Sequence, residues 1–148
     1  MIACVQRCSR AEVRVEDRTV ASIGAGLLVL VAVEKDDDTT CADSLADRLL
    51  DMRIFADDAG KMNRSARDVA AEVLIVSQFT LAARLDRGRR PSFDRAAPPD
   101  RARALYERLI DRVRTAGTHA QAGAFGARMA VELVNDGPVT FLLEERSR

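Results

Sequence analysis

The sequence contains no tryptophan, only one tyrosine (Tyr106) and only one histidine (His119). Few aromatic side chains mean few surfaces on which unpaired nucleic-acid bases can stack. Lysine and arginine together number 23, and aspartate and glutamate together also number 23, so the formal net charge is zero. A protein that coats nucleic acid non-specifically needs an excess of positive charge. The composition therefore argues against that class of protein, while a local basic patch stays open.

Cysteine is also scarce, and its number is odd. The three residues, Cys4, Cys8 and Cys41, do not suit the disulfide framework of a small secreted protein, so we expect a reducing, cytoplasmic location. The longest apolar run, residues 27–33, has seven residues, whereas a membrane span needs about 20. We therefore interpret this run as a buried strand rather than a membrane segment.

What the sequence does contain is a set of strand patterns and two amphipathic segments. Apolar alternation and β-branched runs predict strands at 1–9, 12–16, 20–23, 27–34, 73–78, 128–134 and 139–144. Apolar residues at helical spacing predict helices over 40–53 and 98–117. We therefore expect a single α/β domain over residues 1–148, with a hairpin-rich mixed or antiparallel sheet and two main helices on one face.

Familiar catalytic groups are few. His119 follows a glycine in a turn-like segment, so an exposed histidine is the preferred interpretation, and an esterase that uses it as a base is the alternative. Cys4 and Cys8 share one face of a strand, which favours two buried thiols over a metal site. We predict no metal and no cofactor. The acidic run at 36–38 is typical of a solvated turn that caps the following helix.

Three other segments could carry a function. Ser77-Gln78-Phe79-Thr80 follows a buried strand, where polar side chains either project into a cleft or mark the point at which the strand reaches the surface. Asn135-Asp136-Gly137-Pro138 lies between two strand patterns, and composition alone favours an ordinary hairpin turn, although a Gly-Pro bond can be cis. Residues 84–95 hold five arginines and two aspartates, which suits either phosphate binding or a solvated loop.

Taken together, these segments resemble the D-aminoacyl-tRNA deacylases, also called D-tyrosyl-tRNA deacylases. The resemblance spans essentially the whole chain and rests on Ile2-Ala-x-Val-Gln-Arg, Gly60-Lys-Met-Asn, Ser77-Gln-Phe-Thr-Leu81, Gly88-Arg-Arg-Pro-Ser-Phe93, Phe125-Gly-Ala and Asn135-Asp-Gly-Pro-Val-Thr140. It implies an editing hydrolase that splits D-aminoacyl-tRNA into tRNA and a D-amino acid, and that also accepts mischarged glycyl-tRNA. It further implies a homodimer whose sheets meet across the interface.

The same resemblance implies a role for particular residues. The catalytic segment would be Ser77, Gln78, Phe79 and Thr80, and the adenosine pocket would include Phe125 and Met129. Gly137 and cis Pro138 would enter the partner subunit's site as a chiral filter, and Arg87, Arg89 and Arg90 are candidate tRNA contacts.

The catalytic step leaves two routes open. Thr80 could be a nucleophile, but the sequence supplies no base for it, so we favour help from the ribose 2′-OH of the substrate. A non-catalytic dimeric tRNA-binding module is the remaining alternative to an enzyme.

Overall fold

The sheet is organised around its first strand, β1 (Ile2–Val15), which pairs with three others. A computed structural model describes residues 1–86 and 88–147, so the predicted contact residue Arg87 lies outside the described residues. The remaining elements are β2 (Arg18–Ile23), β3 (Gly26–Ala32), α1 (Thr39–Asp51), β4 (Phe55–Ala56), β5 (Met62–Arg64), β6 (Glu72–Ser77), a 3-10 turn (Phe79–Ala82), α2 (Pro99–Thr115), β7 (Ala120–Ala122) and β8 (Met129–Glu144).

The main sheet has the strand order β2-β1-β3-β6-β7, and β8 pairs with β1. β1 and β3 are antiparallel, whereas β3, β6 and β7 run parallel to one another. The sheet is therefore mixed, and the prediction of one α/β domain with two main helices is confirmed. β4 and β5 form a separate short hairpin. In the part of the chain that the structure describes, no helix is long and apolar enough to cross a membrane.

Two predicted strand boundaries were wrong. The segments 1–9 and 12–16 form one continuous strand, and so do the segments 128–134 and 139–144, which we had separated by a hairpin turn. The reason is that β8 stays antiparallel to β1 along its whole length, so its two halves cannot form a hairpin with each other. The Asn135–Pro138 segment instead lies where the pairing of β8 with β1 shifts in register, between Gln6 and Arg10. The short strands β4, β5 and β7 are not predicted by the apolar pattern.

The acidic turn is less solvated than its composition suggests. Asp37 is only 3% exposed, and its carboxylate accepts a hydrogen bond from the ammonium group of Met1 at 2.5 Å. Asp38 caps α1 as predicted, because its Oδ1 accepts from the backbone N–H of Cys41 at 3.0 Å. The hydrogen bond from Cys41 holds the pKa of the Asp38 carboxyl below its ordinary value. Through these two hydrogen bonds the turn connects Met1, just before β1, to the first turn of α1.

Side chains of the central strands alternate between two apolar clusters, because neighbouring residues of a strand point to opposite faces. Val5, Val29 and Ile75 pack against the helices on one face. Leu28 and Leu74 belong to the cluster on the other face. The strand predicted at 27–34 is therefore covered on both sides, which agrees with its continuous apolar composition.

The two helices lie side by side and are joined by paired charges. Arg108 of α2 donates two hydrogen bonds to Asp43 of α1, and Arg112 donates two to Asp47. The Arg108 guanidinium lowers the pKa of the Asp43 carboxyl. Such bidentate pairs specify the relative position of two helices better than single contacts do.

We predict that Gly26→Ala destabilises the protein and that Gly24→Ala does not. A Cβ atom on Gly26 would overlap the backbone carbonyl of Glu72 in β6, whereas one on Gly24 would meet only the flexible end of the Glu72 side chain at 3.3 Å. Separating β3 from β6 should cost about 2 kcal/mol. Urea unfolding of both variants measures this difference, and equal midpoints would contradict the close approach of the two strands.

Candidate functional site

The candidate site begins where β6 leaves the interior. Val73, Leu74, Ile75 and Val76 are at most 1% exposed, and the polar residues that follow them are not buried. The backbone N–H of Gln78 donates to the carbonyl of Val31 at 2.7 Å, so the segment remains attached to β3 after the strand ends. Of the two interpretations left open for this segment, the structure favours a cleft, because a cavity opens beside it.

That cavity has a volume of about 480 Å³ and is lined mainly by apolar side chains. Ser77, Gln78 and Phe79 form one side, and Phe125 and Met129 lie on another. These five predicted site residues therefore meet around one space. No carboxylate, imidazole, thiol or ammonium group among the described residues lines it. A cavity of this size suits a small organic group such as a nucleoside.

The segment after β6 presents polar groups at the rim of the cavity. The Gln78 side chain donates to the Oγ1 atom of Thr80. No side chain caps the 3-10 turn, and within the described residues the backbone N–H groups of Phe79 and Thr80 have no acceptor. Such N–H groups at the start of a helical turn are available to an external acceptor. The rim thus offers hydrogen-bond donors without a titratable base.

Phe125 is positioned by two residues of α2 that the sequence analysis did not select. Its ring lies 5.7 Å from the Tyr106 ring, and the Arg103 guanidinium lies 4.7 Å above its centroid. The Tyr106 hydroxyl donates to the carbonyl of Ile75 at 2.7 Å, and burial raises the pKa of Tyr106 to about 12. The phenol therefore stays protonated and links the end of β6 to the Phe125 turn. The only available signal was a lone tyrosine on the apolar face of the helix.

The Gly137–Pro138 peptide bond is cis, and both residues are exposed. Asn135 holds the segment: its Oδ1 accepts from the Val139 N–H at 2.7 Å, and its Nδ2 donates to the Thr140 hydroxyl at 3.0 Å. Arg7 donates to the carbonyl of Asp136 at 3.0 Å. Neither Gly137 nor Pro138 lines the cavity of its own chain within the described residues. Hydrogen bonds from Arg7 and Asn135 therefore hold this segment outside the cavity that Ser77, Gln78 and Phe79 line.

His119 is an exposed histidine, as preferred from the sequence. Its side chain is 63% exposed and its Nε2 lies 3.5 Å from the Glu72 carboxylate, at the start of β6. Ser77 ends β6, five residues after Glu72. The rise of a strand per residue places Ser77 roughly 17 Å from Glu72, the residue beside His119. His119 cannot activate a nucleophile at Ser77 or Thr80 over that distance.

The cysteines differ in burial, and within the described residues they do not cluster with acidic side chains in a group of three that could hold a metal ion. Cys8 is buried but Cys4 is only half-buried, which corrects the expectation that both thiols are buried. Burial raises the pKa of both thiols. Among residues 1–86 and 88–147, no three His, Cys, Asp or Glu side chains come close enough to hold a metal ion.

The basic loop leaves the 3-10 turn and returns beside it. The backbones of Arg84 and Ser92 exchange two hydrogen bonds, at 2.8 and 3.0 Å. Arg89 and Arg90 are exposed at the tip between them. Phe93 then meets Phe79 edge to face, with ring centroids 5.0 Å apart. Phe93 thus connects the loop to the site. From the sequence, Phe93 was noted only within the motif Gly88-Arg-Arg-Pro-Ser-Phe93 and not as a site residue.

Comparison with known proteins identifies the family. The family described as D-Tyr-tRNA(Tyr) deacylase matches residues 4–144. The chain belongs to this family. Among curated relatives, it is 53% identical to the D-aminoacyl-tRNA deacylase of Geobacter sulfurreducens, over 100% of this chain and 97% of that one. It is 56% identical to the D-aminoacyl-tRNA deacylase of Klebsiella pneumoniae subsp. pneumoniae, over 97% of this chain and 99% of that one.

Solved structures agree with the deacylase fold. A protein named c-Myc DNA Unwinding Element Binding Protein is 35% identical, with a TM-score of 0.94 over 99% of this chain and 100% of that one. A structure described as a probable eukaryotic D-amino acid tRNA deacylase has a TM-score of 0.84 over 96% of this chain and 97% of that one. Its identity is 21%, so it supports the fold alone. The resemblance to the D-aminoacyl-tRNA deacylases, a family of ester hydrolases, is confirmed.

We predict that Asn135→Ala loosens the Gly137–Pro138 segment while Asn135→Asp largely preserves it. Alanine removes the acceptor of the Val139 N–H, whereas aspartate retains an oxygen at that place. Losing one such hydrogen bond should make the Val139 amide exchange with solvent about tenfold faster. Hydrogen exchange followed by NMR measures this rate. Exchange at the wild-type rate in Asn135→Ala would show that Asn135 does not hold the segment.

Proposed function

We propose that this deacylase-family chain hydrolyses the ester bond of D-aminoacyl-tRNA and releases tRNA and the D-amino acid. The observation that carries the proposal is the Ser77–Thr80 segment at the rim of an apolar cavity, in a chain that matches relatives of that name along its whole length. A cytoplasmic location follows from such a substrate. Mischarged glycyl-tRNA is a second substrate of the same site.

The terminal adenosine of the tRNA occupies the cavity. Phe125 and Met129 contribute apolar surface against the base, and the Arg103 and Tyr106 contacts keep the Phe125 ring in place. Most of the lining is apolar, which favours a flat aromatic base over a charged group. The aminoacyl ester then lies near the rim, beside Ser77 and Gln78.

Hydrolysis at that rim requires stabilisation of the oxygen that becomes negative. The N–H groups of Phe79 and Thr80 are the donors for this oxygen, since the described residues provide them with no internal acceptor. Water oxygen bonds to the carbonyl carbon, the bond to the ribose 3′ oxygen breaks, and that oxygen takes up a proton. Preorganised backbone donors suit this step because they need no reorientation as charge develops.

The proton transfers use the substrate rather than a side chain. No titratable group among the described residues lines the cavity, and the Thr80 hydroxyl already accepts a hydrogen bond from Gln78. The ribose 2′-OH lies next to the ester in any aminoacyl-tRNA, so it is the nearest hydroxyl that can orient water or relay a proton. Because no side-chain base among the described residues lines the cavity, we propose that Thr80 supports Gln78 and forms no covalent intermediate.

Discrimination between D and L substrates comes from the second subunit of a homodimer. Gly137 and Pro138 are exposed and lie away from their own cavity, which is consistent with their entering the partner's site. Exposed apolar side chains on β8, including Val134 and Leu142, are available for a dimer interface. Backbone carbonyls at this pair bind the substrate amine, and an L side chain then meets the Pro138 backbone. Glycine has no side chain and passes the same filter.

The basic loop contacts the tRNA backbone. Arg89 and Arg90 are exposed at its tip, and guanidinium groups match phosphate oxygens in geometry and charge. Arg87, the third residue predicted for this role, lies outside the described residues. Opposed aspartates moderate the charge of the loop, because Arg84 pairs with Asp86 at 3.3 Å.

Binding of nucleic acid without turnover is the second candidate function. It is favoured by the similarity to a protein named for binding a DNA element. The assays below separate the two candidates, because a binding module would leave every ester intact.

We predict fast loss of D-Tyr-tRNA, little loss of L-Tyr-tRNA, and loss of this selectivity in Gly137→Ala. A Cβ on Gly137 would lie 2.6 Å from Val139 Cγ2 and 2.9 Å from the Val139 nitrogen, so the pair must move. Gly60→Ala is the matched control, because Gly60 also has a positive φ but no neighbour within 4 Å. Deacylation rates of both esters measure the effect. If neither ester is cleaved by the unmodified dimer, nucleic-acid binding becomes the better proposal.

We predict that Thr80→Val retains at least a third of the wild-type rate, whereas a substrate ending in 2′-deoxyadenosine reacts about 100-fold more slowly. The first change removes a hydroxyl that has no base, and the second removes the proposed proton relay. His119→Ala is the control for an esterase mechanism and should keep full activity. An inactive, folded Thr80→Val would instead favour a threonine nucleophile.

A further inference from the structure

Two of the five phenylalanines meet on the surface next to the catalytic segment. Phe79 is 56% exposed and Phe93 is 38% exposed, although large apolar side chains are usually buried. Their rings are 5.0 Å apart at an interplanar angle of 61°. Overall composition suggested few stacking surfaces, but the fold concentrates two aromatic rings at one place.

The pair adjoins the cavity through Phe79. Phe79 lines the cavity, and Phe93 does not line it but contacts the Phe79 ring. Where a polynucleotide whose last nucleoside fills the cavity leaves over the exposed Phe79 ring, the nucleotide before the terminal adenosine comes next to Phe93.

The loop backbone fixes the place of Phe93. The two hydrogen bonds between Arg84 and Ser92 close the loop just before it, and the Ala96 N–H donates to the Phe93 carbonyl at 2.9 Å just after it. The Ser92 hydroxyl also donates to the Asp94 carboxylate at 2.7 Å. A ring held in this way can bind a base without a large loss of conformational freedom.

Charge around the pair suits a nucleic acid rather than an apolar partner. Residues 84–95 contain five arginines and two aspartates, and Arg89 and Arg90 are exposed in the same loop. Aromatic rings interleaved with arginines are a common arrangement for unpaired nucleotides, where rings stack on bases and guanidinium groups bind phosphates. Binding of a purely apolar protein surface here would be unfavourable, because these arginines would lose their hydration without gaining a charged partner.

We infer that Phe93, together with the exposed edge of Phe79, binds the base of the nucleotide preceding the terminal adenosine. Arg89 and Arg90 bind the phosphate that joins the two nucleotides. Phe93 is thus a specificity-determining residue for a polynucleotide end over a free aminoacyl nucleoside. This inference rests on the proposed function, because it takes the terminal adenosine to occupy the cavity.

The test compares binding of adenosine with binding of the dinucleotide CpA, by calorimetry, in wild type, Phe93→Leu and Phe93→Tyr. We expect CpA to bind the wild type about tenfold more tightly than adenosine does. Phe93→Leu should lose this advantage and leave adenosine affinity within twofold. Phe93→Tyr retains an aromatic ring and should keep the advantage.

Four results would overturn the inference. CpA could bind the wild type no better than adenosine, the advantage could survive in Phe93→Leu, or Phe93→Leu could weaken both ligands equally. A change of oligomeric state in Phe93→Leu, measured by size-exclusion chromatography, would also overturn it, because the rings would then be covered by a second copy.

Failure of the proposed function gives a different pattern. The wild type would leave D-Tyr-tRNA intact, while the advantage of CpA and its dependence on Phe93 would still be measured. Because binding is read without turnover, the inference and the catalytic proposal can fail separately.

Discussion

The parallel pairing of β6 between β3 and β7 is the interaction on which the candidate site depends. It buries four consecutive apolar residues and then releases the chain as Ser77 emerges at the sheet edge. Gly26 allows the close approach of β3 to β6, and the Gln78–Val31 hydrogen bond continues their pairing beyond the strand. The sheet therefore positions the backbone N–H groups of Phe79 and Thr80 at the start of the following turn. Groups that are to stabilise a developing charge need such fixed positions.

Among the described residues, no titratable side chain lines the cavity, which limits the chemistry that the protein can supply. The apolar walls favour a neutral, shape-selective pocket. In the proposed mechanism, acid–base chemistry comes from water and from hydroxyl groups of the substrate. That mechanism would tie reactivity to the ribose, because an ester without a neighbouring hydroxyl would lack the proposed relay. Selectivity for esters linked to RNA would then arise in the rate of hydrolysis as well as in substrate binding.

The two groups proposed to select the substrate lie outside the cavity. Gly137 and Pro138 are held by Asn135 and Arg7, and Phe93 is held by the hydrogen bonds that close the basic loop. Each projects from a strand or loop that internal hydrogen bonds hold. If both proposals hold, stereochemistry and polynucleotide length are recognised on different surfaces, and a change at one need not disturb the other.

The sequence by itself determined the mixed α/β class, the two helices, the buried strands at 27–34 and 73–78, and the family. Those features depend on local periodicity and on motifs that are contiguous in the chain. Only the tertiary structure decided that β1 and β8 are each continuous, because the pairing partner and not the local pattern supplies their hydrogen bonds. It also decided that Phe125, Met129 and the Ser77–Phe79 segment share one cavity, and that Phe93 meets Phe79. These contacts join residues far apart in sequence, and no periodicity encodes which of them meet.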